Sequence, residues 1–293
     1  MARFKILITG ANGLIGKYFR NIYANEDIIP IEINNGKASW PVINEKCHIV
    51  LLHLAWRSIP SLPTNECEKL GIDDYQMTMN LFKTFTRRYY SESIIFVSTA
   101  GDIYRKSVPI LCNEKTEASP NSPYSYYKLL IEKELSNMNI DSLSLRVSNA
   151  WGCKIKENRR NGFIDKAIHN AMTGINTLVT IPTESVISII HIRDLCSALY
   201  KACYHIYINS IYNERKQLKE KYNLSGEYIE INQIIKTLTS LTEAKIDFQP
   251  TNNKSIYTLI DASLISKDLN WNPSNYFNKK TVLECCKHYA SDF

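Results

Sequence analysis

Glycine is scarce in this chain, with 10 among 293 residues, which excludes collagen-like and glycine-rich low-complexity architectures. Three of those ten fall at Gly10, Gly13 and Gly16. No apolar run approaches the roughly 18 residues that a membrane-spanning helix requires. The longest, Ile49 to Trp56, is interrupted by His53 and ends at Arg57. The eight cysteines include no C-x-x-C pair, and the first residues run directly into the glycine motif without a leader's cleavage site. A disulfide scaffold, a zinc ribbon and a secreted protein are therefore not expected, and the reading is a cytoplasmic protein with reduced cysteines and no metal. Charge of one sign is also thin: 35 Lys+Arg against 29 Asp+Glu leave +6, spread along the chain. That balance suits an anionic small molecule. The basic clusters Arg159-Arg160 and Lys216 to Lys221 lack the interleaved aromatics of a nucleic-acid module and read as solvated surface, so neither nucleic acid nor membrane is expected as a partner. With 44% hydrophobic and 22% charged residues, what remains is a globular chain of about two domains.

Phe4 to Thr9 has the pattern of a short apolar strand, followed by the glycine turn and a helical stretch to about Ala24. Strands are predicted at Asp27 to Ile33, Cys47 to Ala55, Ser93 to Ser98 and Ser142 to Val147, with helices at Asp74 to Tyr90 and Pro123 to Met138. The Cys47 to Ala55 run is almost continuously apolar, as a parallel strand buried on both faces should be. This alternation predicts an α/β fold, a Rossmann-like doubly wound parallel sheet. Beyond about residue 150 the alternation fades into shorter elements: helices at 163–172, 193–206 and 231–241, and a strand at 185–191. We expect residues 1–150 to form an NAD(P)-binding Rossmann domain and residues 151–293 a smaller, mixed substrate-binding domain, with some segments, about 195–225, returning to the first.

Gly10-x-x-Gly13-x-x-Gly16 lies between a strand and a helix, where each glycine has a physical role: a tight turn, close approach of a pyrophosphate to the backbone, and close helix packing. The phosphates then meet the free N–H groups and positive dipole end of the helix. Glu32, 22 residues after Gly10 at the predicted end of the second strand, would bond ribose hydroxyls and repel a 2′-phosphate, favouring NAD over NADP; Lys37 downstream offers a phosphate contact in the other case. At the start of a predicted helix, Tyr124 and Lys128 are four residues apart and share one face. A neighbouring ammonium would favour the phenolate and make Tyr124 usable as an acid/base near neutrality. Ser98-Thr99 ends the preceding strand, and ligands of such sheets gather outside the carboxyl ends of strands.

Thr9-Gly10-x-x-Gly13-x-x-Gly16, His53-Leu54-Ala55, Ser98-Thr99-Ala100-Gly101-Asp102-Ile103-Tyr104, Ser122-Pro123-Tyr124-x-x-x-Lys128 and Leu145 to Gly152 occur in the order seen in extended short-chain dehydrogenases/reductases. In particular the chain resembles the NAD-dependent epimerase/dehydratase family, which modifies nucleotide sugars. The resemblance continues through Ile190 to Asp194, Tyr222 to Gly226 and Leu269 to Pro273, so it covers nearly the whole chain. It implies that Tyr124 is the acid/base on a sugar oxygen, that Thr99 bonds the same oxygen, and that Lys128 binds the nicotinamide ribose and tunes Tyr124. It also implies cofactor contacts from Gly10, Asn12, Gly13, Leu14, Ile15, Gly16, Glu32, Leu54, Ala55, Tyr124, Lys128 and Val147, substrate contacts from Thr99, Tyr124, Asn149 and Arg193, and a homodimer built on the helices near 78–90 and 124–138. The cofactor implied is NAD, with NADP as the alternative, and the setting is polysaccharide biosynthesis.

Departures from the family pattern narrow the reading. Thr99 is followed by Ala100-Gly101 where dehydratases of the family carry Asp-Glu, which discounts a 4,6-dehydratase. Asp74 stands where an Asn near the cofactor is usual, and Ile187 where an Arg commonly binds the nucleotide phosphates, leaving Arg159, Arg160 and Arg193 as candidates for that task. The link from Asn34 to Lys46 is too short for the strand and helix the family fits there, and Pro30 lies inside the second strand. Since proline is best tolerated at a sheet edge, that strand is predicted at or near the edge of a reduced sheet. The leading expectation is an NAD-dependent nucleotide-sugar epimerase acting at C4 through a transient 4-keto sugar. The alternatives are an NAD(P)H-dependent nucleotide 4-keto-6-deoxysugar reductase and a cofactor-binding regulatory protein without catalysis.

Overall fold

The structure, a computed structural model, describes residues 4–34, 36–44, 46–89, 92–153, 162–212, 220–242, 245–249 and 254–290. Its first half runs β1 (Phe4–Thr9), α1 (Leu14–Ile22), β2 (Ile28–Ile31), β3 (Ile33–Asn34), β4 (Lys37–Ala38), β5 (His48–His53), α2 (Thr64–Phe85), β6 (Glu92–Thr99), β7 (Leu111–Cys112), α3 (Pro123–Ser136), β8 (Asp141–Val147) and β9 (Asn149–Trp151). The second half runs α4 (Phe163–Thr173), β10 (Thr177–Val179), β11 (Val186–His191), α5 (Ile192–Tyr212), β12 (Lys221–Leu224), β13 (Glu227–Glu230), α6 (Ile231–Leu241), β14 (Ile246–Phe248), β15 (Tyr257–Ile260), α7 (Ser263–Leu269) and α8 (Lys279–Ala290).

Six strands form a parallel sheet in the order β12-β8-β6-β5-β1-β2. Alternate residues of its central strands go to opposite faces, and both faces are apolar. Leu7, Ile49, Leu51, Ile94 and Phe96 meet Met79, Phe82 and Phe85 of α2 and Ile131 and Leu135 of α3. Ile6, Ile8, Val50, Leu52, Ile95 and Val97 meet Phe19 of α1 and Leu195, Leu199 and Cys203 of α5. The period of two with no polar face therefore produces three layers.

Among the described residues β2 pairs only with β1, Pro30 lying opposite Ile8, so the strand carrying proline is the edge of the sheet as its ring chemistry demands. The short link beyond it forms the β3–β4 hairpin instead of another strand and helix. Trp40 from this link stacks near Phe85, ring centroids 6.0 Å apart, and with Ile43 covers the end of the α2-side core. The chain crosses back after residue 192: α5 packs on the first sheet and β12 pairs with β8. The remaining strands form a mixed sheet, β13-β11-β15-β7 with β9 beside β11, and a β10–β14 pair. Helices α4, α6 and α8 pack there around Trp151, Ile168, Ile234 and Val282.

Helix α2 begins at Thr64, ten residues before the start predicted from sequence. Gly71 obscures the helical pattern there, and it is present because Tyr127 of α3 occupies the space: a Cβ on Gly71 would fall 2.4 Å from the Tyr127 ring.

Candidate active site

The β1–α1 turn is fixed by backbone contacts that exclude side chains. Gly10 has φ +68°, and a Cβ there would fall 2.8 Å from the amide nitrogen of Ala55. A Cβ on Gly16 would fall 2.3 Å from the Gly10 carbonyl oxygen, so the helix sits directly on the turn. Gly13 precedes α1 and supplies no side-chain cap, which leaves the first-turn N–H groups and the positive end of the dipole for an anion. Above this turn opens a cleft of about 1030 Å³ whose lining includes Gly10, Asn12, Gly13, Glu32, Ala55 and Trp56. An open helix N-terminus at one part of the cleft and an acid at the end of β2 in another fit a dinucleotide.

His53 ties this turn to the helix layer. Thr9 Oγ1 accepts from the backbone N–H groups of Leu54 (3.2 Å) and Ala55 (3.3 Å), so its own proton goes to His53 Nδ1 at 2.8 Å. His53 Nε2 then donates to Thr78 Oγ1 of α2 at 3.0 Å. The ring is buried, and burial, reinforced by the nearby Lys128 charge, pushes its pKa down to about 3. It is therefore a neutral structural bridge rather than a proton carrier.

The catalytic candidates converge at the carboxyl end of β6. Ser122 caps α3 and Pro123 opens it, so Tyr124 stands in the first turn of a helix with a fixed entry. The Tyr124 hydroxyl lies within electrostatic reach of the Thr99 side chain, which opposes the effect of burial on it. Lys128 Nζ, almost fully buried, lies 5.3 Å from the centre of the Tyr124 ring, 4.6 Å from that of Trp56 and 5.1 Å from that of Phe96, and donates to the Val97 carbonyl at 2.6 Å. Burial brings Lys128 down to about 7, opposed by the carboxylates of Asp74 and Glu132. Burial, rather than the Lys128 charge, dominates the Tyr124 pKa and raises it, and the neighbouring Thr99 side chain only partly offsets that. Ser98 and Thr99 also part company. Ser98 donates to Glu132, which forms a buried ion pair with Arg146 at 2.7 Å, so only Thr99 faces the tyrosine.

The other sequence-predicted residues are distributed as follows. Leu14 and Ile15 open α1 with their side chains partly buried against the core, as Leu54 does. Val147 is buried and its carbonyl accepts from Ala100 N–H at 2.8 Å. Asn149 Nδ2 donates to the Ser188 carbonyl at 2.9 Å, and its amide lies where a Cβ on Gly101 would be within 3.3 Å. The Ala100-Gly101 pair thus leaves space that Asn149 uses. Arg193 pairs with Glu284 at 3.5 Å, and Ile187 is buried in the second core. Arg159 and Arg160 lie outside the described residues. Sequence reasoning missed Trp56, Arg57 and Arg20, all of which line the cleft. The first two directly follow His53-Leu54-Ala55, and Arg20 lies one helical turn beyond Gly16, so extending each motif along its element would have found them.

A parallel sheet with a glycine turn at its first strand, and a Thr-Tyr-Lys group outside its central strand, defines a dinucleotide-dependent enzyme of the short-chain dehydrogenase type. The sequence profile of the NAD dependent epimerase/dehydratase family matches residues 6–213, and the chain belongs to that family. No curated protein matches it in sequence. Among solved structures it is similar to the UDP-N-acetylglucosamine 4-epimerase of Methanobrevibacter ruminantium M1, solved with UDP-N-acetylmuramic acid, at 18% identity and a TM-score of 0.77, covering 100% of both chains. It is also similar to the UDP-glucose 4-epimerase of Thermotoga maritima, solved with UDP-glucose, at 17% identity and a TM-score of 0.75 over 98% of this chain and 99% of that one. RMD from Pseudomonas aeruginosa, solved with NADPH, shares 16% identity and a TM-score of 0.73 over 100% of both chains.

Proposed function

We propose that the protein is an NAD-dependent nucleotide-sugar epimerase acting at C4 in the cytoplasm. The observation that carries the reading is the meeting of Thr99, Tyr124 and Lys128 beside the cleft. Bound NAD supplies a reversible hydride acceptor. Tyr124 takes the proton of the C4 hydroxyl as that carbon is oxidised and returns it when the keto sugar is reduced on its other face. Thr99 bonds the same oxygen, holding it against Tyr124. Burial favours the neutral phenol, which suits proton donation to the keto oxygen. The removal step needs the phenolate, and the Lys128 ammonium is the nearby charge that supports it. Lys128 binds the nicotinamide ribose, Glu32 the adenosine ribose, and Asn149 contacts the sugar from the strand beside β11.

Tyr124→Phe is expected to lower turnover of the epimerised sugar by about 10²–10⁴ while leaving NAD affinity within about twofold. Turnover at the wild-type rate would remove the tyrosine from the mechanism. A second reading, a 4-keto-6-deoxysugar reductase using NADPH, is favoured by Arg20: it lines the same cleft as Glu32 and forms no ion pair with a carboxylate among the described residues. Oxidation of NADPH by the protein only when a 4-keto sugar is present would select that reading.

A further inference from the structure

The loop that follows β5 is pinned by a buried carboxylate. Asp74, fully buried in α2, accepts from the backbone N–H groups of Arg57 (2.9 Å) and Ser58 (2.8 Å) through Oδ2, and from Arg57 Nε (2.9 Å) through Oδ1. An amide in that position would turn one donor group toward these three donors, so this geometry requires the carboxylate. Arg57 in turn leaves Asp74 and enters the cleft wall with 56% of its side chain exposed. Asp73 lies 3.5 Å from Nη2, and Nη1 forms no hydrogen bond or ion pair with the described residues. A guanidinium locked by its Nε edge, with unused donors in a cleft that also holds an open helix N-terminus, is pre-organised for phosphate oxygens.

We infer that Asp74 is a positioning residue for Arg57 and that Arg57 binds the pyrophosphate of the dinucleotide. The inference rests on the reading of this cleft as the cofactor site. The test is a titration of the full-length protein with NAD, ADP-ribose and adenosine, followed by tryptophan fluorescence, since Trp56 lines the cleft. Wild type, Asp74→Asn, Arg57→Ala and the double variant are compared. Each single variant should weaken NAD and ADP-ribose about tenfold, the double variant should be no weaker than either, and adenosine, which lacks the phosphates, should bind all four alike. Arg57→Gln alters only a half-exposed side chain and keeps the comparison readable if Asp74→Asn does not fold. Unchanged NAD affinity, strictly multiplying losses, or a parallel loss of adenosine would each overturn the inference. A wild-type protein that binds none of the three would overturn the cofactor-site reading itself.

Discussion

At the scale of single residues, burial decides the chemistry of this site more than proximity of charge does. Tyr124 and Lys128 were legible because their spacing places them on one helix face, yet their protonation follows from desolvation, which no spacing reveals. The same effect operates at Asp165 in α4, a buried carboxyl whose Oδ1 accepts from Gly152 N–H (2.7 Å) and Cys153 N–H (3.2 Å). Burial outweighs both bonds and raises it to about 7. A carboxyl raised on folding favours the protonated fold, so its contribution is fullest below its unfolded pKa and is lost as pH climbs through about 7. Asp165→Asn keeps an oxygen for both N–H groups but cannot ionise. Relative to wild type it should gain about 2–3 kcal/mol between pH 5 and pH 8, at about 1.4 kcal/mol per pKa unit. Urea unfolding at the two pH values measures this, and a constant difference would refute it.

At the scale of elements, the glycine turn is the part most completely written in the sequence. Gly10 answers to the backbone of Leu54 and Ala55, Gly13 and Gly16 both to the Gly10 carbonyl, and the Gly16 position is the least forgiving because its neighbours are backbone atoms of Gly10 and Ala11. Gly16→Ala should destabilise the fold by roughly 1–3 kcal/mol and weaken NAD binding in the same step; an alanine variant with unchanged urea midpoint and affinity would contradict the packing account. Pro30 likewise announced the edge strand, since ring chemistry restricts where proline can sit. The start of α2 and the short strands β7, β9, β10, β14 and β15 were not legible. Two- to four-residue strands carry too few residues to display a period, and their pairings, such as β7 with β15, join segments almost 150 positions apart.

At the scale of the molecule, family motifs distributed along the chain made the parallel fold readable, while the cleft wall from residues 56 to 80 emerged only when α2 was seen to close over β5. Helices α2 and α3 pack against each other and leave Ile72 and Tyr126 exposed. We propose that this pair of helices meets its copy in a homodimer. Light scattering should then give twice the 33.7 kDa chain mass, and Tyr126→Glu should halve it; a monomeric wild type would end that proposal. In the function proposed for the protein, the cleft and the Thr99-Tyr124-Lys128 group together interconvert C4 epimers. The most direct measurement is to release nucleotide from the purified protein with acid, then incubate the protein with UDP-, GDP- and dTDP-sugars and follow both sugar configuration and absorbance at the reduced-nicotinamide band. Co-purified NAD and epimerisation of a fully hydroxylated sugar with no net NADH formed are expected. A protein that carries no NAD and converts none of these sugars when NAD is added would contradict it.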